Sequence, residues 1–210
     1  MTNLKLIQQG AEAKIFLQKT PEGNIIIKDR ISKSYRIPEI DKTIIKRRTK
    51  SETKILEKAS KIISCPEPIK DVKEFNKIKM PYIEGKKLSL NLDKFPLKEQ
   101  KEIMKILGKN IALLHKNHII HGDLTTSNMI LKDNKLFFID FGLGFISQKV
   151  EDKAVDLHLL KQALEAKHFK NWEVLLEEVF KSYEKTLGSV ETKKVLERIT
   201  AIERRGRYRH

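Results

Sequence analysis

Short apolar–polar alternations separated by turn residues dominate the first part of the chain. Alternation with a period of two is typical of strands that bury one face. Pro21-Glu-Gly23 marks a turn between the second and third of these segments. The pattern predicts five short strands, over 4–8, 14–19, 24–29, 69–72 and 75–80.

A long helix is predicted between the third and fourth of these strands, over 39–63. Its interrupted apolar stripe, on a heavily basic background, consists of Ile40, Ile44, Ile55, Leu56, Ala59 and Ile62. Pro66 and Pro68 end it, because proline has no amide donor for a helical hydrogen bond. Residues 81–85 read as a crossing segment, so residues 1–84 are predicted to form a β-rich N-lobe with one long helix.

The remainder of the chain has mainly helical periodicity. In the predicted helix over 97–118, Ile103, Leu107, Ile111 and Leu114 repeat at spacings of four, four and three, which buries one face. Asp133-Asn134 joins two predicted hairpin strands, 129–131 and 136–139. Further helices are predicted over 153–167, 172–186 and 191–203. Residues 85–210 should therefore form a mainly helical C-lobe, which makes the fold class α+β.

Composition restricts the class of protein further. The chain has 210 residues, of which 40% are hydrophobic, so one compact domain or two small lobes can bury a core. Its apolar runs are only a few residues long and its first nine residues carry no secretory apolar region, so we expect no membrane contact. Cys65 is the single cysteine, which excludes an internal disulfide. These features predict a cytoplasmic protein.

The charge is strongly positive. Forty-three Lys and Arg residues stand against 28 Asp and Glu residues, a formal net charge of +15. Such an excess favours polyanions, nucleic acid first among them, because binding releases counterions. Adaptation to heat also enriches surfaces in Lys and Glu, but it does not explain the imbalance between the two signs.

Two polar motifs stand on either side of the predicted hairpin. His121-Gly-Asp-Leu-Thr-Thr-Ser-Asn128 precedes it, and Ile139-Asp-Phe-Gly142 follows it. Phosphoryl transfer needs a carboxylate to orient the attacking hydroxyl, which suits Asp123, and oxygen ligands for magnesium, which suit Asn128 and Asp140. The pair resembles the catalytic loop and Asp-Phe-Gly motif of protein kinases.

That resemblance requires a lysine on the third strand to bind the nucleotide phosphates. Ile25-Ile-Ile-Lys28 supplies it, and the long helix should then carry a glutamate that pairs with Lys28. Glu52 and Glu57 are the candidates, and we choose Glu52. Taken alone, Glu52 would pair more readily with Arg48 on a solvated helix face.

Other interpretations of single residues are weaker. His115, His118 and His121 suggest a metal site, but a spacing of three and three with no nearby cysteine is poor for zinc. The turn after the first strand holds only Gly10 where kinases carry a glycine-rich loop, and Glu12 would repel phosphate unless it faces Lys28 or a metal. Gly122 stands where typical kinases have an arginine that reads an activation-loop phosphate, so switching by that route is not expected.

The closest resemblance is to one kinase family. It rests on Gln9-Gly-Ala-Glu-Ala13, on residues 28–38, on Arg47-Arg-Thr-Lys-Ser-Glu52, on the loop at 121–128 and on Arg205-Gly-Arg-Tyr-Arg209. These segments are similar to the small atypical kinases of the KEOPS (EKC) complex, in their archaeal form. The resemblance runs essentially from end to end.

That resemblance implies a minimal bilobal kinase fold and a serine/threonine kinase or ATPase that uses ATP with Mg²⁺. It assigns Asp123 as catalytic base, Lys28 as phosphate ligand, and Asn128 and Asp140 as metal ligands. The implied ATP contacts are Ile7, Gly10, Ala11, Glu12, Ala13, Ile15, Lys28, Glu52, Met80 and Ile83, the last two in an adenine-facing hinge over 80–83.

Partners are also implied by the resemblance alone. They are a tRNA threonylcarbamoyl-transferase subunit on the C-lobe and tail side, a small subunit on the N-lobe, and tRNA itself. The basic tail residues Arg204, Arg205, Arg207, Tyr208 and Arg209 would contact nucleic acid or a partner; the alternative is a solvated chain end.

Two other functions stay open at this stage. Antibiotic kinases share a His-Gly-Asp loop, but a small-molecule phosphotransferase normally needs a larger helical C-lobe than the 54 residues after Asp156 allow. A non-catalytic scaffold for tRNA and proteins is the other, and the complete set of kinase residues makes it the weaker one.

Overall fold

The computed structural model describes residues 4–70 and 73–207, which form two lobes. The N-lobe is a four-stranded antiparallel sheet with one long helix. Its strands, in the order β1-β2-β3-β4, are β1 Leu4–Gln9, β2 Ala13–Thr20, β3 Gly23–Arg30 and β4 Lys77–Pro81. The helix α1, Pro38–Ser60, lies between β3 and β4 in the chain.

The C-lobe is mostly helical, with small strand pairs at its upper edge. Its helices are α2 Leu88–Asn91, α3 Leu97–Lys116, α4 Val150–Lys167, α5 Trp172–Leu187 and α6 Ser189–Arg207. Its strands are β5 Lys86–Lys87, β6 Ile119–Ile120, β7 Met129–Lys132, β8 Lys135–Phe138 and β9 Phe145–Ile146. β5 pairs with the β7–β8 hairpin, and β6 pairs with β9.

The core extends through both lobes. The four residues of the predicted α3 stripe are all buried, and Gly108 on the same helix permits a close crossing with α5. A Cβ at Gly108 would lie 2.2 Å from the carbonyl oxygen of Val179, so any larger residue would push the two helices apart. The predicted helical face of α3 is confirmed.

The hairpin turn also follows the sequence. Asp133 and Asn134 both have positive φ, 48° and 57°, a conformation in which Asn and Asp are the commonest residues after glycine. Lys132 pairs with Lys135 across this two-residue turn, which fixes the register of β7 against β8. This register carries the chain from the first polar motif to the second.

Several sequence predictions need correction. A strand was predicted over 69–72, but residues 69 and 70 are not in a strand, and residues 71–72 lie outside the described residues. The Ile69 amide does donate a hydrogen bond to the Lys79 carbonyl oxygen of β4. On α1, Ile40 is exposed and Ile44 is only half-buried, whereas Asp41 and Ile45, each one position later, are buried. Ile139 lies just beyond β8, and α6 continues past 203 to Arg207.

No helix among residues 4–70 and 73–207 is long and apolar enough to cross a membrane.

Candidate active site

A cavity of about 240 Å³ lies between the sheet and the C-lobe. Six of the predicted ATP contacts line it: Ile7, Ile15, Lys28, Glu52, Met80 and Ile83. The predicted metal ligands Asn128 and Asp140 line it as well. Most of the remaining wall is apolar, as expected for a site that holds a flat base between side chains.

Some predicted residues lie outside this lining. They are Gly10, Ala11, Glu12 and Ala13 of the β1–β2 turn, and Asp123. Conversely, sequence reasoning missed Ile26, Leu56, Ile130 and Ile139, which line the cavity. A signal for Ile26 was present, because it stands two residues before Lys28 and a strand places such residues on one face.

Lys28 is held between two carboxylates. Its ammonium nitrogen lies 2.7 Å from Glu52 Oε1 and 2.7 Å from Asp140 Oδ1. Burial by itself lowers the pKa of Lys28, but the charges of Glu52 and Asp140 outweigh burial and raise it above its usual value. Lys28 is therefore a fixed cation at the cavity wall.

Glu52 anchors this arrangement from α1. It is 2% exposed, and its second oxygen accepts a hydrogen bond from the guanidinium of Arg30 on β3. Arg30 is equally buried and lies 3.5 Å from Glu12, which also accepts a bond from Arg48. Glu52 therefore pairs with Lys28 and not with Arg48, and of the two candidate glutamates Glu57 is not the partner.

The position of Glu12 follows from the same contacts. The carboxylate of Glu12 faces Arg48 and Arg30. From the sequence, it was expected to face Lys28 or a metal, as a way to avoid repelling phosphate. The Arg48 hydrogen bond is the main cause of a pKa for Glu12 below its usual value. The ion pair between Glu12 and Arg48 thereby joins the β1–β2 turn to α1. The turn lacks the glycine-rich loop that kinases carry at this place.

Asp123 is oriented by Asn128. The Asn128 amide donates 2.8 Å to Asp123 Oδ2 and 3.0 Å to the Asp123 carbonyl oxygen. These two hydrogen bonds link Asn128 back to Asp123, and both of them are donated by the amide nitrogen of Asn128. Its amide oxygen is thereby free to serve as a ligand.

Asp156 on α4 supports the start of the loop over 121–128, which corresponds to the catalytic loop of kinases. Its two oxygens accept the backbone amides of His121, at 2.8 Å, and Gly122, at 2.9 Å. His115 on α3 lies 3.2 Å from the same carboxylate, and the Tyr183 hydroxyl of α5 lies 2.8 Å from the other nitrogen of His115. Sequence analysis assigned Asp156 no role, because nothing local shows that it meets the loop.

His121 is a buried, neutral support of the loop. It is fully buried; one ring nitrogen faces the Ile139 carbonyl oxygen and the other accepts the Asp123 amide. Burial lowers the pKa of His121 more than the carboxylates of Asp156, Asp123 and Asp140 raise it. No group of three or more metal-ligating His, Cys, Asp or Glu residues occurs in the described part of the chain, which leaves the three-histidine metal site without support.

Gly122 is required by the backbone. Its φ is +79°, and a Cβ there would lie 2.4 Å from the carbonyl oxygen of Leu143. An arginine at this position would both strain the loop and clash with the segment after Asp-Phe-Gly. The departure from the kinase pattern at Gly122 thus has a steric cause.

Asp140 lines the cavity from a left-handed backbone conformation. Its φ is +62°, a region that Asp adopts more readily than most non-glycine residues, and the Gly142 amide donates to its Oδ1 at 3.2 Å. Burial raises the pKa of Asp140, but the charge and hydrogen bond of Lys28 and the Gly142 amide lower it overall. Asp140 is therefore an anion, and it lines the same cavity as Asn128.

This pair fits a magnesium ion that is shared with nucleotide phosphates. Mg²⁺ prefers oxygen ligands and is commonly bound by one or two carboxylates, water and substrate phosphates. Asp140 would supply the carboxylate and Asn128 the amide oxygen.

The predicted tail site is only partly described. Arg204 and Arg205 are exposed in the last turns of α6, and Arg205 lies 3.8 Å from Glu151 at the start of α4. The backbone of Arg207 ends the helix, while Tyr208 and Arg209 lie outside the described residues.

Comparison with known proteins supports the kinase geometry. The family model of the RIO domain matches residues 24–156, from the lysine strand to Asp156. The chain belongs to the RIO-domain family. It is 44% identical to the KEOPS complex subunit Bud32 of Pyrococcus abyssi, over 98% of this chain and 97% of that protein. Within the RIO-domain family it is therefore a Bud32 relative.

Other relatives agree with this assignment. A probable serine/threonine-protein kinase BUD32 homologue of Archaeoglobus fulgidus is 38% identical over 95% of this chain and 94% of that protein. A probable bifunctional tRNA threonylcarbamoyladenosine biosynthesis protein of Methanosarcina mazei is 37% identical over 97% of this chain, which spans only 36% of that protein.

A solved structure shows the same fold. WaaP in complex with acyl carrier protein superposes with a TM-score of 0.65 at 11% identity, over 97% of this RIO-domain chain and 88% of that one. At this identity the similarity concerns the fold alone, and it confirms the predicted bilobal, kinase-like α+β architecture.

Proposed function

We propose that this RIO-domain protein is an ATP-dependent serine/threonine kinase or ATPase that acts within a KEOPS complex and supports threonylcarbamoylation of adenosine in tRNA. The observation that carries the proposal is the meeting of Lys28, Glu52, Asn128 and Asp140 at one largely apolar cavity. Its relatives named as Bud32 and as tRNA threonylcarbamoyladenosine biosynthesis proteins support the biological setting.

The side chains suit transfer of the γ-phosphate. The hinge at 80–83 and the apolar walls would enclose the base, and Lys28, fixed by Glu52, would bind phosphate oxygens. Mg²⁺, held by Asn128 and Asp140, would neutralise charge on the phosphates when bound. Asp123, held by the Asn128 amide, would orient the acceptor hydroxyl or water and receive its proton.

The names of the relatives and the charge of the chain support the partners that we propose. We propose a threonylcarbamoyl-transferase subunit on the C-lobe and tail side, a small KEOPS subunit on the N-lobe, tRNA contacts by the α6 tail, and a cytoplasmic location. The net charge of +15 supports the contact with tRNA. Deletion of residues 204–210 should weaken tRNA binding and flatten its salt dependence, and an unchanged slope would reject the tail contact.

The decisive experiment follows the γ-phosphate of labelled ATP, with the protein alone and with its transferase partner. Asp123→Asn should reduce turnover by about 100-fold or more. Asp133→Asn is the matched control, because it removes an equal charge from an exposed turn that tolerates Asn. Absence of magnesium-dependent turnover in the unaltered protein, alone and with the partner, would refute the enzymatic proposal.

A complementation assay separates catalysis from scaffolding. If Asp123→Asn supported tRNA modification in cells as well as the unaltered protein does, a non-catalytic role would replace the proposed one. A screen that found one preferred small-molecule acceptor would instead favour a metabolite phosphotransferase.

A further inference from the structure

A second groove, of about 400 Å³, lies between α1 and β4 on the N-lobe. It shares no lining residue with the active-site cavity. The floor includes Ile78 of β4, and the sides come from one face of α1 and from residues 68–70 and 74–75. The groove is therefore a separate feature that the kinase site does not use.

The groove is strongly basic. Five lysines and two glutamates line it: Lys46, Lys50, Lys70, Lys77, Lys79, Glu57 and Glu74. Lys46 and Lys50 are one helical turn apart on α1, and Lys77 and Lys79 lie two residues apart on β4. Lys77 pairs with Glu74 at 3.2 Å, whereas Lys46, Lys50 and Lys79 make no ion pair with any residue that the structure describes.

A hydrogen-bond donor stands between the lysines of α1. Thr49 is 6% exposed and lines the groove, and its hydroxyl has no hydrogen-bond partner within residues 4–70 and 73–207. A buried hydroxyl without a partner is costly, so its persistence points to a ligand that accepts from it. Phosphate oxygens are such acceptors.

An exposed aromatic ring completes the surface. Phe75 lines the groove and is 42% exposed, and the Lys42 ammonium lies 5.6 Å from the centre of its ring. An acidic peptide would need only the lysines, whereas RNA uses cations for its phosphates, donors for its oxygens and exposed rings for its bases. The combination therefore favours RNA.

We propose that the α1–β4 groove binds the sugar–phosphate backbone of tRNA, at a place separate from both the ATP cavity and the α6 tail. The choice of tRNA as the RNA rests on the proposed function. Lys46, Lys50 and Lys79 contact phosphates, the Thr49 hydroxyl donates to a phosphate oxygen at the base of the groove, and Phe75 packs on a base or ribose at its rim.

The test measures binding of an unmodified tRNA transcript to the full-length protein over a series of salt concentrations. The double variant Lys46→Ala with Lys50→Ala should weaken binding about 10-fold and reduce the slope of log K against log salt by about 1.5, as expected for two lost phosphate contacts. Both lysines are exposed and alanine favours helices, so α1 should stay folded.

A matched control exists on the C-lobe. Lys109 and Lys185 are also exposed and line a groove that α3 and α5 form. Lys109→Ala with Lys185→Ala removes the same charge and should leave tRNA affinity within about twofold and the salt slope unchanged. Equal losses in the two double variants would mean diffuse attraction to a basic protein and would overturn the proposal.

Thr49→Val tests the donor without changing charge. We expect about fivefold weaker tRNA binding, the size of one hydrogen bond, at an unchanged salt slope. Unchanged affinity together with a higher melting temperature would show that the hydroxyl is merely unpaired and would reject its role.

Two further readouts separate this proposal from others. The first readout is competition between polyglutamate and tRNA, measured for the unaltered protein and for the groove variant. Equal competition in the two proteins supports the RNA site. Loss of polyglutamate binding with tRNA binding intact would assign the groove to an acidic protein instead. ATP turnover should stay normal in all groove variants. The groove proposal is therefore tested by tRNA binding and the enzymatic proposal by ATP turnover, so that each can fail without the other.

Discussion

The two lobes hold their shares of the active site by different physical means. In the N-lobe, a chain of opposite charges runs from Arg48 through Glu12, Arg30 and Glu52 to Lys28, and it starts at the exposed surface. In the C-lobe, Asp156 accepts hydrogen bonds from two backbone amides of the catalytic loop and contacts His115, and the side chains of Asp156 and His115 are both buried. Charges can reposition a lysine, whereas buried hydrogen bonds fix a loop in one conformation.

The difference shows that the N-lobe part of the site is the part that solvent conditions can alter. The outer links of the N-lobe chain, at Glu12, are about half exposed, so water and salt weaken them. The supports of the catalytic loop have no such access to solvent. We therefore expect changes in the C-lobe network to act on stability and changes in the N-lobe chain to act on nucleotide handling.

The largest expected effect is that of Asp156→Ala. It would leave two backbone amides and the buried His115 without their acceptor, which should lower the free energy of unfolding by about 3–5 kcal/mol. Urea denaturation measures the change. Glu197→Ala, at an exposed position of α6, is the control and should change the free energy by less than about 0.5 kcal/mol; a similar loss in both would contradict the role of Asp156.

Glu52→Gln comes second and tests the N-lobe chain. It would leave Lys28 and Arg30 without their shared anion, so the lysine would lose its position and kcat/KM for ATP should fall about 100-fold. Steady-state ATP turnover gives the value. Glu57→Gln on the same helix should leave turnover unchanged, and equal effects of both changes would mean that helix charge in general, not the Lys28 pair, is responsible.

A smaller effect is expected for Tyr183→Phe. The change removes only the hydroxyl that meets His115, which leaves one buried ring nitrogen unpaired and should cost about 1–2 kcal/mol of unfolding free energy. Tyr35→Phe, at a side chain that is 76% exposed, should be close to neutral. A neutral Tyr183→Phe would remove His115 from the supporting network.

The smallest effect concerns pH. Burial holds the pKa of His121 below its ordinary 6.5, so the unfolded chain takes up a proton first as pH falls. Stability should therefore be complete above about pH 6.5, decline below it, and level off below the folded pKa of His121. Urea midpoints from pH 8 to 5 should decline less in His121→Gln than in the unaltered protein, and equal declines would show that His121 is not the group.

The Lys28–Asp140 pair should be silent over this range. The pKa of Asp140 is lowered and that of Lys28 is raised, so the contribution of Asp140 is lost only as pH falls below 3.8 and that of Lys28 only as pH rises above 10.5. The contribution of the Lys28–Asp140 pair to stability is thus insensitive to pH in the physiological range.

Local patterns were sufficient for much of this site. The motif around Asp123, the motif around Asp140 and the hairpin between them are contiguous in sequence, and the two-residue turn at Asp133-Asn134 sets their register. Lys28 was found because the kinase resemblance requires a lysine on the third strand, and the same resemblance indicated a glutamate on α1. Of the two candidates Glu52 and Glu57, sequence reasoning chose Glu52, and α1 is rotated so that Glu52 contacts Lys28.

Contacts between distant segments could not be read in the same way. Asp156 lies 33 residues after Asp123 and resembles any other helical aspartate until α4 is packed under the loop. Thr49 looks like an ordinary helix residue in the sequence, and only the folded structure shows that its hydroxyl is buried without a hydrogen-bond partner among residues 4–70 and 73–207.

By itself, the sequence determined most of the elements, the two-lobe α+β class and the chemistry of the candidate site residues, because hydrophobic period, turn preference and side-chain type act over a few neighbouring positions. The tertiary structure alone decided which residues Glu12 contacts, what holds the catalytic loop and which lysines of α1 and β4 line one groove. Those outcomes depend on the rotation and packing of whole elements, and the free energy that sets them comes from contacts between residues far apart in the chain.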